Sequence, residues 1–210
     1  MKRELSELVG ILLGDGSLGV YSSKVDGKNK IQYRIKITLN SEKDRDYSRY
    51  IIRLMTVIFK QKPLIYKRKG ENTLDIYLLG RKHLNYLLNQ GLVLAPKWDR
   101  ALIPNKFLCS PLDKLILRGY MDTDGCIAVV NNNGNRYPRI EMKICPSPMQ
   151  QQLIDIMASN GFQPQVNNLE RGKVRVVLAG KEKLRKWFDN IGFSNERNLK
   201  VARSFFSPYV

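Results

Sequence analysis

The chain has 210 residues, 43% of them apolar, with 36 Lys and Arg against 19 Asp and Glu, a formal net charge of +17. That apolar fraction is enough for a folded core and excludes disorder as the main state. The positive excess is spread along the chain, +10 over residues 1–105 and +7 over 106–210, so it is no tail, and a polyanion, nucleic acid foremost, is the expected partner.

The first predicted element is the apolar-periodic segment S-E-L-V-G-I-L-L-G-D-G-S-L at 6–18, a helix ending in Asp-Gly, with Gly16 where a left-handed terminal residue is wanted. Residues 21–30 are polar and basic and read as a flexible hairpin loop. Residues 32–39 alternate strictly, Gln32, Arg34, Lys36 and Thr38 on one face against Tyr33, Ile35, Ile37 and Leu39 on the other, the pattern of a half-buried strand. Ser41 then opens a helix to about Phe59. Short strands follow at 62–69 and 73–79, joined by a turn at 69–72, and residues 82–89 form a helix with His83 on its surface. Strand 62–69 has two possible parities, presenting either Tyr66 and Arg68 or Lys67 and Lys69 on the polar face.

A joint at 95–110, holding Pro96 and Pro104, precedes a second helix, D-K-L-I-L-R-G-Y-M-D-T-D-G-C-I at 113–127. Ser110 is positioned to cap it, Pro111 suits its first position, and Asp113 favours its positive end. It too ends in Asp-Gly, at Gly125. A polar loop at 131–136 follows, then a strand in which Arg139, Glu141 and Lys143 alternate with Ile140, Met142 and Ile144. A helix at 148–160, strands at 163–169 and 173–178 with a turn at 170–173, and a helix at 181–190 complete the same order. The chain therefore reads as an α+β protein of two αββαββα repeats, residues 1–100 and 101–210, each expected to carry a curved antiparallel sheet.

The segments L-V-G-I-L-L-G-D-G (8–16) and L-R-G-Y-M-D-T-D-G (117–125) resemble the two signature helices of single-chain LAGLIDADG homing endonucleases, and the likeness extends over nearly the whole chain. They depart from the signature at Val9, Leu13 and Gly14, and at Arg118, Tyr120 and Thr123. Both keep the penultimate acid, Asp15 and Asp124. Independently of the resemblance, Gly10 with Gly14 and Gly119 with Thr123 give each helix a stripe of small residues on which another backbone can close in, so these four form the expected helix interface. Such packing would bring Asp15 and Asp124 together at helix ends, where the dipole and each other's charge disfavour both. A divalent cation would relieve that. Oxygen-only ligation by the two carboxylates, with backbone carbonyls such as those of Gly14 and Thr123, suits Mg²⁺, with Mn²⁺ or Ca²⁺ able to take the same sites.

The resemblance implies a monomer with pseudo-twofold symmetry that cuts both strands of a long DNA target, leaving staggered ends, with Asp15 and Asp124 catalytic. It places on the DNA Gln32, Arg34, Lys36 and Thr38 with Lys24, Lys28 and Lys30 from the first repeat, and Arg136, Arg139, Glu141, Lys143, Lys173 and Arg175 from the second. Arg and Lys can read guanine, Gln adenine and Glu cytosine. A water-assisting group is expected near the long-strand ends, with Asn40 and Lys143 as candidates beside Cys145. The family also includes intron RNA maturases and proteins that bind DNA without cutting it. With no protein-splicing domain flanking the repeats, an intron-encoded, free-standing enzyme, intracellular with its host DNA, is the expected form.

Other chemistries fare worse. Cys109, Cys126 and Cys145 lie too far apart for a C-x-x-C knuckle, and a single histidine excludes a His-based zinc site. The N-terminal M-K-R-E-L-S-E-L carries acids where a secretory leader is apolar, and no apolar run nears the ~18 residues of a membrane span, so a soluble, unprocessed protein is expected. Met-Asp-Thr-Asp-Gly-Cys is similar to the nucleophile loop of haloacid-dehalogenase-type phosphatases, but it follows a helix in mid-chain and leaves Asp15-Gly16 unexplained. An EF-hand lacks its further acids. Asp122, about 200° round the helix from Asp124, is expected to face solvent or to hydrogen-bond rather than to ligate.

Overall fold

The computed structural model describes residues 1–25 and 28–206. The first repeat runs α1 (Lys2–Leu13), β1 (Gly16–Val25), β2 (Lys28–Asn40), α2 (Arg45–Phe59), β3 (Leu64–Lys67), β4 (Thr73–Leu79) and α3 (Arg81–Asn89). The second runs α4 (Leu112–Asp124), β5 (Gly125–Asn132), β6 (Asn135–Ile144), α5 (Met149–Ser159), β7 (Gln165–Asn168), β8 (Val174–Ala179) and α6 (Lys181–Asn190), followed by a further helix, α7 (Glu196–Arg203). The two four-stranded antiparallel sheets have matching orders, β1-β2-β4-β3 and β5-β6-β8-β7, and the mixed architecture is the two-repeat α+β fold expected.

Each sheet is apolar on one face. Ile35, Ile37 and Ile76 of the first, and Ile140, Met142 and Val176 of the second, are buried in one continuous core with the helices. The opposite faces carry polar and charged residues. Between the repeats lie α1 and α4, and in α1 every residue from Leu5 to Leu13 is buried, as a helix packed on all sides must be. The helices run side by side in the same direction. A Cβ on Gly10 would sit 3.0 Å from the Ile116 carbonyl carbon, and one on Gly119 would sit 2.9 Å from the Ile11 nitrogen. Gly14 meets the side chains of Thr123 and Asp124 instead of backbone.

Several expectations are corrected. Gly16 and Gly125 are not left-handed caps: each starts a strand, Gly125 at φ −113° and ψ 169°. Glycine is required there because the chain turns so sharply that a Cβ would lie 2.6 Å from the carbonyl oxygen of Leu12 or Met121. The loops expected at 21–30 and 131–136 are largely strand, since their polar residues sit on hairpins that project past the core and so need no apolar face. Asn132 pairs with Asn135 across Asn133 and Gly134, whose φ of 48° and 79° make the two-residue turn that Asn-Gly favours. Asp26 and Gly27 of the other loop lie outside the described residues. The second repeat's motif helix has no side-chain cap: Pro111 precedes it, and the Cys109 carbonyl accepts the amides of Leu112 and Asp113. The helix expected from Ser41 begins at Arg45, because Asn40 Oδ1 accepts the Glu42 and Lys43 amides and holds a turn first. His83 is buried, edge-on to Phe59 and bonded to Gln61 Oε1 at 2.8 Å.

Candidate active site

Side-by-side packing of α1 and α4 delivers Asp15 and Asp124 to the same end of the helix pair. Asp15 is half-buried, while Asp124 reaches solvent from a densely surrounded position. Burial, and then the charge of Asp124, push the Asp15 pKa up to about 7, against the opposing pull of Lys97. Burial also raises Asp124, opposed by Lys97 and Lys173. Two acids at helix ends whose pKa values are both raised are short of positive charge, which fits a cation-binding role. Among the described residues no group of three or more His, Cys, Asp or Glu is placed to hold a metal ion; the carboxylates that meet at this end of the helices are Asp15 and Asp124. That suits a hard ion completed by water and phosphate oxygens more than a closed protein cage.

Lys97 lies beside this pair, and the sequence did not point to it. Its Nζ donates to the carbonyl oxygens of Leu12, Leu13 and Gly14, each at 2.6 Å, so the ammonium closes the negative end of α1 beside Asp15. Burial lowers its pKa to about 8, with Asp124 and Asp15 acting the other way. The Gly14 carbonyl oxygen thus accepts from Lys97, and the Thr123 hydroxyl donates back to the Gly119 and Tyr120 carbonyls. The lone lysine of the apolar, proline-containing stretch L-V-L-A-P-K was the available signal. Lys173 lies near Asp124, its ammonium 4.9 Å from the Trp98 ring centre. Lys97, Trp98, Tyr120 and Asp124 help line a recess of about 240 Å³ at this spot.

Asp122 is fully buried and hydrogen-bonded, not solvent-facing. It accepts the Ser194 and Asn195 amides at 2.5 and 3.0 Å and Asn198 Nδ2 at 2.9 Å. Asn195 also donates to Asp44, which pairs with Arg197 at 3.2 Å. The segment leading into α7 is thereby tied to both repeats. Glu7 of α1 and Arg118 of α4 form an ion pair across the helix interface.

Strand registers sort the other expected residues. Lys28, Lys30, Gln32, Arg34, Lys36 and Thr38 share the polar face of the first sheet, and Arg139, Glu141, Lys143 and Arg175 that of the second. Tyr66 opposes Asp75, and so takes the polar face with Arg68, whereas Lys67 opposes Leu74 on the other side. Lys69 sits in the turn beyond. Lys24 opposes Asn29 and also points away. Arg136 belongs to the opposite face from Arg139, its guanidinium 5.1 Å from the Phe205 ring centre. Asn40 Oδ1 accepts the Glu42 and Lys43 amides, which holds that side chain in its turn.

The sequence profile described as the LAGLIDADG DNA endonuclease family matches residues 5–182. The chain belongs to that family. Solved LAGLIDADG structures share its fold: I-LtrWI bound to target DNA is 12% identical with a TM-score of 0.65, covering 98% of this chain and 89% of that one. I-DmoI in complex with DNA and Mn is 18% identical with a TM-score of 0.64, covering 92% and 98%. Among curated proteins, the replication factor C small subunit of Methanocaldococcus jannaschii is 27% identical over 202 residues, 94% of this chain. The chain spans only 10% of that protein's length.

Proposed function

We propose that this LAGLIDADG protein is a site-specific DNA endonuclease that breaks both strands of its target with the help of Mg²⁺ or a similar divalent ion. The observation that carries the reading is the meeting of Asp15 and Asp124 between two polar, lysine- and arginine-bearing sheet faces. Because one chain brings both acids and both sheets, it is proposed to act as a monomer on double-stranded DNA. The sheet faces hold the duplex, with basic residues on phosphates and selected side chains on base edges. Asp15 and Asp124 would hold the ion. When bound, it supplies positive charge to the reacting phosphate and eases loss of a proton from the attacking water. Lys97 keeps a positive charge beside Asp15 and cancels the helix end that would otherwise repel phosphate. Lys173, steadied on Trp98, extends that charge on the Asp124 side. The family resemblance of the DNA-bound structures and the all-oxygen donor pair support this reading.

The test begins with a target recovered by binding selection from random duplex DNA in Ca²⁺. Supercoiled plasmid carrying that target is then incubated with protein and Mg²⁺, beside a gel-shift titration. The parent should linearise it. Asp15→Asn and Asp124→Asn preserve side-chain shape, leave the basic faces untouched, and should bind about as well while failing to make double-strand breaks. Linearisation by either variant at the parental rate would remove these acids from catalysis. Tight binding with no cleavage by the parent would instead make the protein a non-cutting DNA binder.

A further inference from the structure

The two sheets present their arginines differently. On the first, Asp75 is only 1% exposed although it lies on the polar face. It accepts Thr38 Oγ1 at 2.7 Å, Arg68 Nε at 2.9 Å and Nη2 at 3.2 Å, and Tyr77 Oη at 3.0 Å. Burial alone would raise its pKa, but these donors hold it below the ordinary carboxylate value. Arg68 is thus spent on the protein, with Glu71 taking a further donor at 3.4 Å, and it is framework despite lying on the DNA-facing side.

Arg34 is the opposite case. Its guanidinium carbon lies 4.0 Å from the Tyr21 ring centre and 5.4 Å from that of Tyr77. Among the described residues it pairs with no carboxylate. Opposite Arg34 in the ladder is Gly19, where a Cβ would lie 2.5–2.7 Å from atoms of the Tyr21 ring. Glycine lets that ring fold back along its strand and lie against the arginine. Tyr77 is fixed in turn by its bond to Asp75. Among the described residues the second sheet shows no such clamp: by register Arg139 matches Arg34, but Val130 and Val177 stand where the first sheet has Tyr21 and Tyr77, and Arg175 replaces Asp75.

We propose that Arg34 is a pre-positioned guanine reader that fixes one base pair of the first repeat's half-site, with Asp75 as its positioning residue acting through Tyr77. The inference rests on the DNA-binding reading above. A planar fork steadied by the Tyr21 and Tyr77 rings and by a bond to the Tyr21 hydroxyl, with no carboxylate partner among the described residues, matches guanine O6 and N7 with its remaining donors, and orienting it in advance removes the ordering cost that a loose arginine would meet on binding. The unclamped Arg139 is left for a less selective contact.

The experiment is the same binding selection in Ca²⁺, read base by base, for the parent, Arg34→Gln, Asp75→Asn, Tyr21→Phe and Gly19→Ala, with thermal melting of each. The parent should yield a consensus containing a guanine that Arg34→Gln loses, discrimination at that one position falling about 10- to 100-fold, while the other positions stay unchanged. Gly19→Ala displaces only the ring and should blur the same guanine; Tyr21→Phe keeps the ring face and should retain it. Asp75→Asn should blur it too, without shifting the consensus elsewhere. If Arg34→Gln weakens all sequences equally, Arg34 contacts phosphate and the proposal fails, while the endonuclease reading stands. If Asp75→Asn and Gly19→Ala both leave the guanine preference intact, the positioning role fails. A parent with no consensus at all would sink the site-specific reading and this inference with it.

Discussion

Asp15 is a carboxylate whose folded-state pKa, about 7, stands well above its ordinary 3.8, and Asp124 shifts in the same direction. Between those values the folded chain keeps a proton that the unfolded chain has lost. The stability this contributes is therefore complete below about pH 4 and lost as pH rises through 7, with a slope of about 1.4 kcal/mol per pH unit for one such group. Metal-free protein should accordingly melt at progressively lower temperature from pH 5 to pH 8. Asp15→Asn should flatten that fall, and added Mg²⁺ should reverse most of it at pH 8, where the charged pair is most in need of a cation. A melting temperature that does not respond to pH or to Mg²⁺ would show that the acids are not a strained pair. Lys97 sharpens the test: its charge lowers the Asp15 pKa, so Lys97→Met should move the pH window upward. It should also cost about 1–3 kcal/mol by leaving the α1 carbonyls without their donor. These residues were unequally legible. The two Asp-Gly endings are local patterns repeated 109 residues apart, and repetition is visible in one dimension. Lys97 acts on carbonyls 83 to 85 positions away, and nothing in its own stretch encodes that distance.

At the level of elements, the glycine stripes of α1 and α4 are where close approach matters most. Cβ atoms at Gly10 and Gly119 would run into the backbone of the facing helix, which cannot rotate away as a side chain can. Gly10→Ala and Gly119→Ala should each destabilise the protein by about 1–3 kcal/mol through overpacking, although alanine is the better helix former by about 1 kcal/mol. Gly14→Ala meets the Thr123 and Asp124 side chains instead and should cost less. Denaturant unfolding gives the order; a Gly10→Ala protein as stable as the parent would mean that the helices part without penalty. Strands and helices with clear apolar periodicity were readable to within a few residues, as 73–79 and 181–190 show. The hairpin arms at 21–25 and 135–138 were not, because strands that extend beyond the core lose the alternation that identifies them. Helix α7 was missed for a related reason: its Asn195 side chain accepts the Arg197 amide as a cap, but so few of its residues are buried that no stripe marks it. Asp122 takes the hydrogen-bonding one of its two expected roles, but its burial was not legible, because helical geometry gives only its direction relative to Asp124 and the return of the chain at 194–198 fills that direction with donors.

For the whole molecule, the net charge of +17 matters through where it lies. Some basic residues point away from the polar faces or are neutralised, as Lys24, Lys67, Arg136 and Arg68 show, so the charge total overstates the charge that meets a duplex. Enough remains, Lys28, Lys30 and Lys36 on one sheet and Arg139 and Lys143 on the other with Lys173 just before β8, for roughly 6 phosphate contacts. Each contact releases condensed counterions from the DNA, and the release weakens as bulk salt rises. Affinity should therefore fall by on the order of 10³ between about 50 and 200 mM salt. Replacing one phosphate-contacting lysine, with Lys30→Gln as the test, should reduce the slope of log affinity against log salt by about 1 without altering sequence preference. Arg34→Gln should do the reverse, changing preference at one base pair while leaving the slope nearly intact. Fluorescence anisotropy across a salt series, on selected and scrambled duplexes, separates the two contributions. A parent whose affinity barely changes with salt would mean that the basic faces do not engage the phosphate backbone, and the placement of DNA across the two sheets would have to be abandoned.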